Sequence, residues 1–210
     1  MRILPLALFG IGLVISNAHA RPVSYPGGWT LDTMNYAERS SLHVHYSPTA
    51  ETSIGYRFED WRGRDFTSHS IHVNNLLKRW NTEDSQANIY VQSGAGIANS
   101  HASDSQEAIG YTGIATDWET RRYFVSYQNR YTEAKDIVGF FRQSARVGWA
   151  PYEGDYGDLH TWIMLDVRHD PEAPDSVTVT PLVRLLKSTH LIETGITDRG
   201  DLTFNYIYRF

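Results

Sequence analysis

From residue 29 onward the chain changes side-chain character at every second position, and it does so in run after run. Leu42, Val44 and Tyr46 share one parity, while Ser41, His43, His45 and Ser47 share the other. Tyr123, Val125, Tyr127 and Tyr131 oppose Arg122, Ser126, Gln128 and Arg130. Phe141, Ala145, Val147 and Trp149 oppose Arg142, Ser144, Arg146 and Gly148. Thr161, Ile163, Leu165 and Val167 oppose His160, Asp166 and Arg168, and Val177, Val179, Pro181, Val183 and Leu185 oppose Thr178, Thr180 and Arg184. A period of two belongs to strands, because successive Cβ atoms point to opposite faces of a sheet. Turn clusters separate the runs. Strands are expected near 29–36, 40–47, 52–60, 69–80, 87–97, 107–117, 121–130, 140–149, 158–168, 177–186, 190–198 and 202–210, about twelve in all. Alternation breaks at Leu76-Leu77, where a β-bulge is expected.

Each run therefore has a greasy face and a polar, often arginine-bearing face. Two architectures use such strands. In a transmembrane barrel the greasy face looks out to lipid and the polar face lines a lumen. In a soluble periplasmic lipocalin-like binding barrel the greasy face looks in. Mean hydropathy of -0.41 suits either and argues against a bundle of membrane helices.

The closing segment bears on the choice. Leu202, Phe204, Tyr206, Tyr208 and Phe210 share one parity, and the sequence ends on Phe210. This resembles the closing strand of bacterial outer-membrane β-barrels, in which a terminal aromatic, with aromatics two and four residues earlier, is the assembly signal. Phe204, Tyr206, Tyr208 and Phe210 carry the likeness, which extends to an architecture and not to a named porin or enzyme family. It implies an all-β, up-and-down antiparallel transmembrane β-barrel over residues 29–210 in the bacterial outer membrane. Its partners would be outer-membrane lipids, the barrel-assembly machinery and periplasmic chaperones.

In such a barrel both chain ends are periplasmic, and short inner turns alternate with longer outer loops. Counting back from Phe210, the outer loops are expected at 198–201, 168–175, 131–139, 99–106 and 61–68. The inner turns are expected at 187–189, 150–158, 117–120, 81–85 and 48–51. Tyr46, Trp80, Trp118, Tyr123, Trp149, Tyr152 and Tyr208 then gather at the periplasmic end, where amphipathic rings favour the membrane interface.

The first residues carry a different message. Arg2 precedes an apolar run from Ile3 to Ile15, and Ala18-His19-Ala20 offers small residues where a signal peptidase reads. Residues 1–20 are expected to be a secretory signal peptide cleaved before Arg21. Arg21–Gly28, with two Pro and two Gly, reads as a periplasmic lead-in without a core of its own.

Composition removes several functions. With no Cys there are no disulfides, thiolate metal sites or Cys nucleophiles. Net charge is -5, or -6 once Arg2 is left out with residues 1–20, so nucleic acid is not an expected partner. Gly94-Ala95-Gly96 begins like a dinucleotide fingerprint but sits in a strand run. Its glycines fit close strand packing instead.

The polar parity collects Arg57, Glu59, Arg122, Arg130, Arg142, Arg146, Asp166, Arg168, Arg184, Glu193 and Arg209 as expected lumen-lining charges. Arginines in a lumen either favour anions in a pore or join carboxylates in a network that fills a narrow barrel. The expected function is a passive narrow channel for small solutes or ions, or a structural barrel with a salt-bridged lumen, with no cofactor. One alternative is a metal-handling barrel. His43-x-His45 puts two imidazoles on one strand face and could begin a Cu or Zn site. His69, His72 and His160 would be further ligands where the fold brings them close. Another alternative is an outer-membrane lipid-modifying hydrolase around the outward His190. No catalytic residues can be assigned to it, because neither G-x-S-x-G nor H-E-x-x-H occurs.

Overall fold

The computed structural model describes residues 22–103, 105–155 and 157–210. The expected signal peptide and its cleavage point lie outside the described residues. Twelve strands close into a single antiparallel barrel. They are β1 (Trp29–Asn35), β2 (Ser40–Tyr46), β3 (Thr52–Trp61), β4 (Phe66–Asn81), β5 (Ser85–Ser100), β6 (Gln106–Thr120), β7 (Tyr123–Ala134), β8 (Val138–Trp149), β9 (His160–His169), β10 (Val177–Lys187), β11 (His190–Ile196) and β12 (Leu202–Arg209). Each pairs with its sequence neighbours, and β1 pairs with β12 to complete the ring. Trp29 and Phe210 extend that seam by exchanging two backbone hydrogen bonds, of 2.7 and 3.0 Å. Closure leaves no strand edge without a partner, which a sheet in hydrocarbon requires.

The two faces sort as the alternation demands. Leu42, Ile54, Ile71, Ile97, Ile114, Val125, Val147, Ile163, Leu165, Val183 and Ile192 are exposed on the outside. His43, His45, Glu59, His72, Asn74, Asn88, Asp166, Arg184, Glu193 and Asn205 are buried inside. A polar interior under an apolar coat is the arrangement of a transmembrane barrel and the reverse of a lipocalin-like one. Of the expected aromatics at the end of the barrel that carries both chain ends, Trp80, Trp118, Tyr123, Trp149 and Tyr152 are exposed and Tyr46 and Tyr208 are half-buried, and Trp29 is exposed beside them.

Strand limits moved where side chains extend the ladder. β4 starts at Phe66 rather than 69, and Phe66 pairs with both Trp61 and Ser100. β7 continues to Ala134, which leaves a short outer turn before β8. The inner turn expected at 117–120 lies instead at Arg121–Arg122. Thr116–Glu119 stay paired with Phe124–Tyr127, and the Thr120 hydroxyl accepts the Arg122 and Tyr123 amides at 3.1 and 2.9 Å. The expected bulge is present, with the β4–β5 register shifting between Leu76 and Lys78. Leu77 is the extra residue and points outward.

The lead-in packs onto the barrel's own interior. Val23 is buried with Tyr90 and Ala115, and Leu76 packs against them. The Pro22 carbonyl accepts hydrogen bonds from Ser53 Oγ at 2.8 Å and Asn74 Nδ2 at 2.9 Å.

Candidate functional site: the barrel lumen

Inward side chains leave a cavity of about 230 Å³ along the lumen. Its wall runs from Pro22 and Asn74 to Tyr36, Arg39 and Trp61. One side of the outer mouth is closed by an apolar cluster of Trp61, Phe66, Ala98, Ile109, Ala134 and Phe140. The guanidiniums of Arg39, Arg142 and Arg130 lie 4.9, 5.4 and 5.6 Å from the Trp61 ring centroid. That of Arg168 lies 4.1 Å from Tyr36. Aromatic faces thus hold the charged heads while the stems stay packed.

Carboxylates organise the same arginines into two groups. The first centres on Glu59 of β3, whose side chain is 1% exposed. It accepts two bonds from Arg130, at 2.7 and 3.1 Å, and one from Arg39 at 2.8 Å, with Arg57 at 4.0 Å. The second is a continuous chain. Glu193 accepts from Arg184 at 2.7 Å, Arg146 at 2.9 Å and Asn205 at 3.0 Å. Arg146 also reaches Asp166 at 3.1 Å, and Arg168 lies 3.7 Å from Asp166. Arg168 and Arg142 then meet Glu38 at 2.9 and 2.6 Å. Glu38 sits in the outer turn between β1 and β2. Burial favours its neutral acid, but Arg168 and Arg142 outweigh that and hold its carboxyl below the ordinary carboxylate range. What Glu38 adds to stability is therefore present above its unfolded-state value, and it is lost as pH falls through the lower folded value.

Of the expected lumen charges, Arg57, Arg130, Arg142, Arg146, Asp166, Arg168, Arg184 and Glu193 line the cavity. Glu59 sits behind that wall under its arginines. Arg209 has inward parity and pairs with Thr30 of the cavity wall, close enough to act on Asp32 and His45, without lining the cavity itself. Arg122 needs correction. It occupies the β6–β7 turn, and its guanidinium donates to the Ala150 and Pro151 carbonyls at the inner rim. Sequence reading missed Glu38 and Arg39. Both lie in a four-residue outer turn, where parity says nothing about direction, although an adjacent acid and base in so tight a turn is a usable signal. Asp32 was also missed, and it faces the lumen from β1.

The histidines separate sharply. His43, His45 and His72 are all buried, and one ligand atom of each lies within 4.8 Å of the others. His69 is held by the Tyr56 hydroxyl at 2.6 Å, and His160 contacts the Asp155 carbonyl at 3.2 Å. His190 contacts the Tyr206 hydroxyl at 2.8 Å and stacks on Tyr208, with Tyr208 stacked in turn on Phe210.

No protein-family model matches the chain. No curated protein matches it by sequence. Solved structures do. A KdgM porin in complex with disordered oligogalacturonate superposes with a TM-score of 0.51 at 8% identity, over 87% of this chain and 98% of that one. Pseudomonas aeruginosa OccK8 (OprE) superposes with a TM-score of 0.44 at 6% identity, over 85% of this chain and 62% of that one. The KdgM likeness bears on the fold: the chain has the twelve-stranded barrel architecture of an outer-membrane porin.

Proposed function

We propose that the protein is a passive outer-membrane channel with a narrow lumen that favours small anionic solutes. The observation that carries this is the charge of the cavity wall. Arg39, Arg57, Arg130, Arg142, Arg146, Arg168 and Arg184 line it, against Asp32, Asp117, Asp166 and Glu193 on the wall and Glu38 and Glu59, which pair with the same arginines from beside it, so the arginines outnumber the carboxylates by one. A basic constriction between low-dielectric walls raises the local concentration of anions and repels cations. The chain as a whole is acidic, so the excess belongs to the lumen.

Purified barrel in a planar bilayer under a KCl gradient tests the reading. The reversal potential should report chloride preference, and Arg142→Gln or Arg146→Gln should move it toward the cation side. A bilayer that stays silent, or a selectivity indifferent to both changes, overturns the channel and leaves a structural barrel. Oligogalacturonate, found in the similar KdgM complex, is an acidic oligomer and a useful blocker to try in the same chamber.

The aromatic end of β12 supports an assembly role. Tyr208 and Phe210 stack at 5.1 Å beside the β1–β12 seam. Removing Phe210 should impair insertion into the outer membrane while export to the periplasm continues, as read by fractionation. Normal insertion of the truncated chain would remove the assembly signal.

A further inference from the structure

The geometry points to a transition-metal site in the lumen, built by His43, His45 and His72. His43 and His45 stand two residues apart on one face of β2. His72 comes from β4, a full strand away. What joins them is Gly55 on the intervening β3. Gly55 pairs with His45 on one side and His72 on the other, and it places no side chain between the rings. A Cβ there would lie 2.2 Å from the Val44 carbonyl oxygen and 2.5 Å from the His45 Cβ. The His43 and His72 rings consequently meet edge to face at 3.8 Å, and those of His43 and His45 approach to 4.7 Å.

Three imidazoles packed this closely are costly unless something occupies their lone pairs. His43 Nε2, both ring nitrogens of His45 and His72 Nδ1 are buried without a hydrogen-bond partner. The remaining His72 nitrogen, Nε2, has a 3.3 Å contact with Asn74 Nδ2. Nitrogens of a zinc-bound histidine trio stand about 3.3 Å apart, given Zn–N bonds of about 2.0–2.1 Å. The cluster, within 4.8 Å, is wider than that, so binding would draw the three rings together. Asp32 is the cross-strand neighbour of His43, and its buried Oδ1 has no hydrogen-bond partner. Arg57 faces the same three rings and Arg209 faces His45, so a bound cation would sit among positive charges, with the Asp32 carboxyl across the strand from His43. An all-imidazole set suits Zn²⁺ or Cu²⁺, with Cu²⁺ the tighter by the usual order of affinities. The site would leave a coordination position open to the lumen.

The test uses the full chain folded in detergent micelles and titrated by calorimetry with ZnCl₂ and, separately, CuCl₂. The wild type should bind about one ion per chain. His43→Ala, His45→Ala and His72→Ala should each weaken binding by about tenfold or more. His190→Ala, on the outer surface, should leave it unchanged. Migration on unboiled gels reports whether each variant still folds. Electron paramagnetic resonance of the Cu²⁺-loaded wild type needs no variant, and it should show splitting from several imidazole nitrogens. Absent binding, binding indifferent to the three lumen histidines, or a copper signal without several nitrogens would each overturn the site. None of these readouts involves conductance, so the metal site and the channel fail separately.

Discussion

Glu59→Gln should cost the barrel about 3–5 kcal/mol of stability, the usual penalty for removing one partner of a buried ion pair. Its carboxylate is 1% exposed and anchors Arg130 by two bonds and Arg39 by one, with Arg57 alongside. Glutamine preserves the shape but leaves those guanidiniums facing a neutral group that also carries donors. The loss should appear as a lower urea midpoint for the barrel in lipid vesicles, followed by tryptophan fluorescence. Trp61, 4.9 Å from Arg39, is a local probe of the same region. Arg130→Gln should be comparably damaging, and the double variant should cost clearly less than the two added together, because both changes break one interaction. A cost below about 0.5 kcal/mol, typical of an exposed substitution, would show that this network does not hold the lumen wall.

Leu165→Arg is the second large effect and probes the outside. Leu165 lies mid-strand on β9, is 40% exposed, and has outward-facing Val147 and Pro181 as cross-strand neighbours. A cation placed there in hydrocarbon should cost about 2–4 kcal/mol. The same change on a water-facing strand would fall within about 0.5 kcal/mol. Vesicle unfolding of the variant therefore distinguishes a lipid-facing coat from a solvated one, and tolerance would sink the membrane-spanning reading.

Much of this barrel is written in its alternation. Strand number, the two faces of each strand and the Leu76-Leu77 irregularity follow from parity and turn residues, which are local properties, whereas parity alone left open which face looks inward. What escaped depends on register. Parity places His72 on the lumen face, but only the pairing of Gly55 with both His45 and His72 brings it to His43. Arg146 has inward parity, yet its bridging of Asp166 and Glu193 depends on which rows of β8, β9 and β11 align. Turn residues escaped for another reason. Glu38 and Arg39 reach inward from a tight turn, where no period applies, while Arg122 lost its lumen place when the ladder ran on to Thr120. The glycines of Gly94-Ala95-Gly96 were legible as packing residues. A Cβ on Gly96 would lie 1.9 Å from the His69 carbonyl oxygen, and one on Gly94 would lie 2.3 Å from the Tyr111 ring.

Pro22 and Val23 tie the start of the described chain to buried residues inside the barrel near its inner end, through Asn74, Ser53 and Tyr90. Anything spliced just ahead of Pro22, such as an affinity handle or a reporter, would begin against these contacts inside the barrel. Handles for purification or labelling belong instead on the Lys135–Asp136 turn, where both side chains stand in open water.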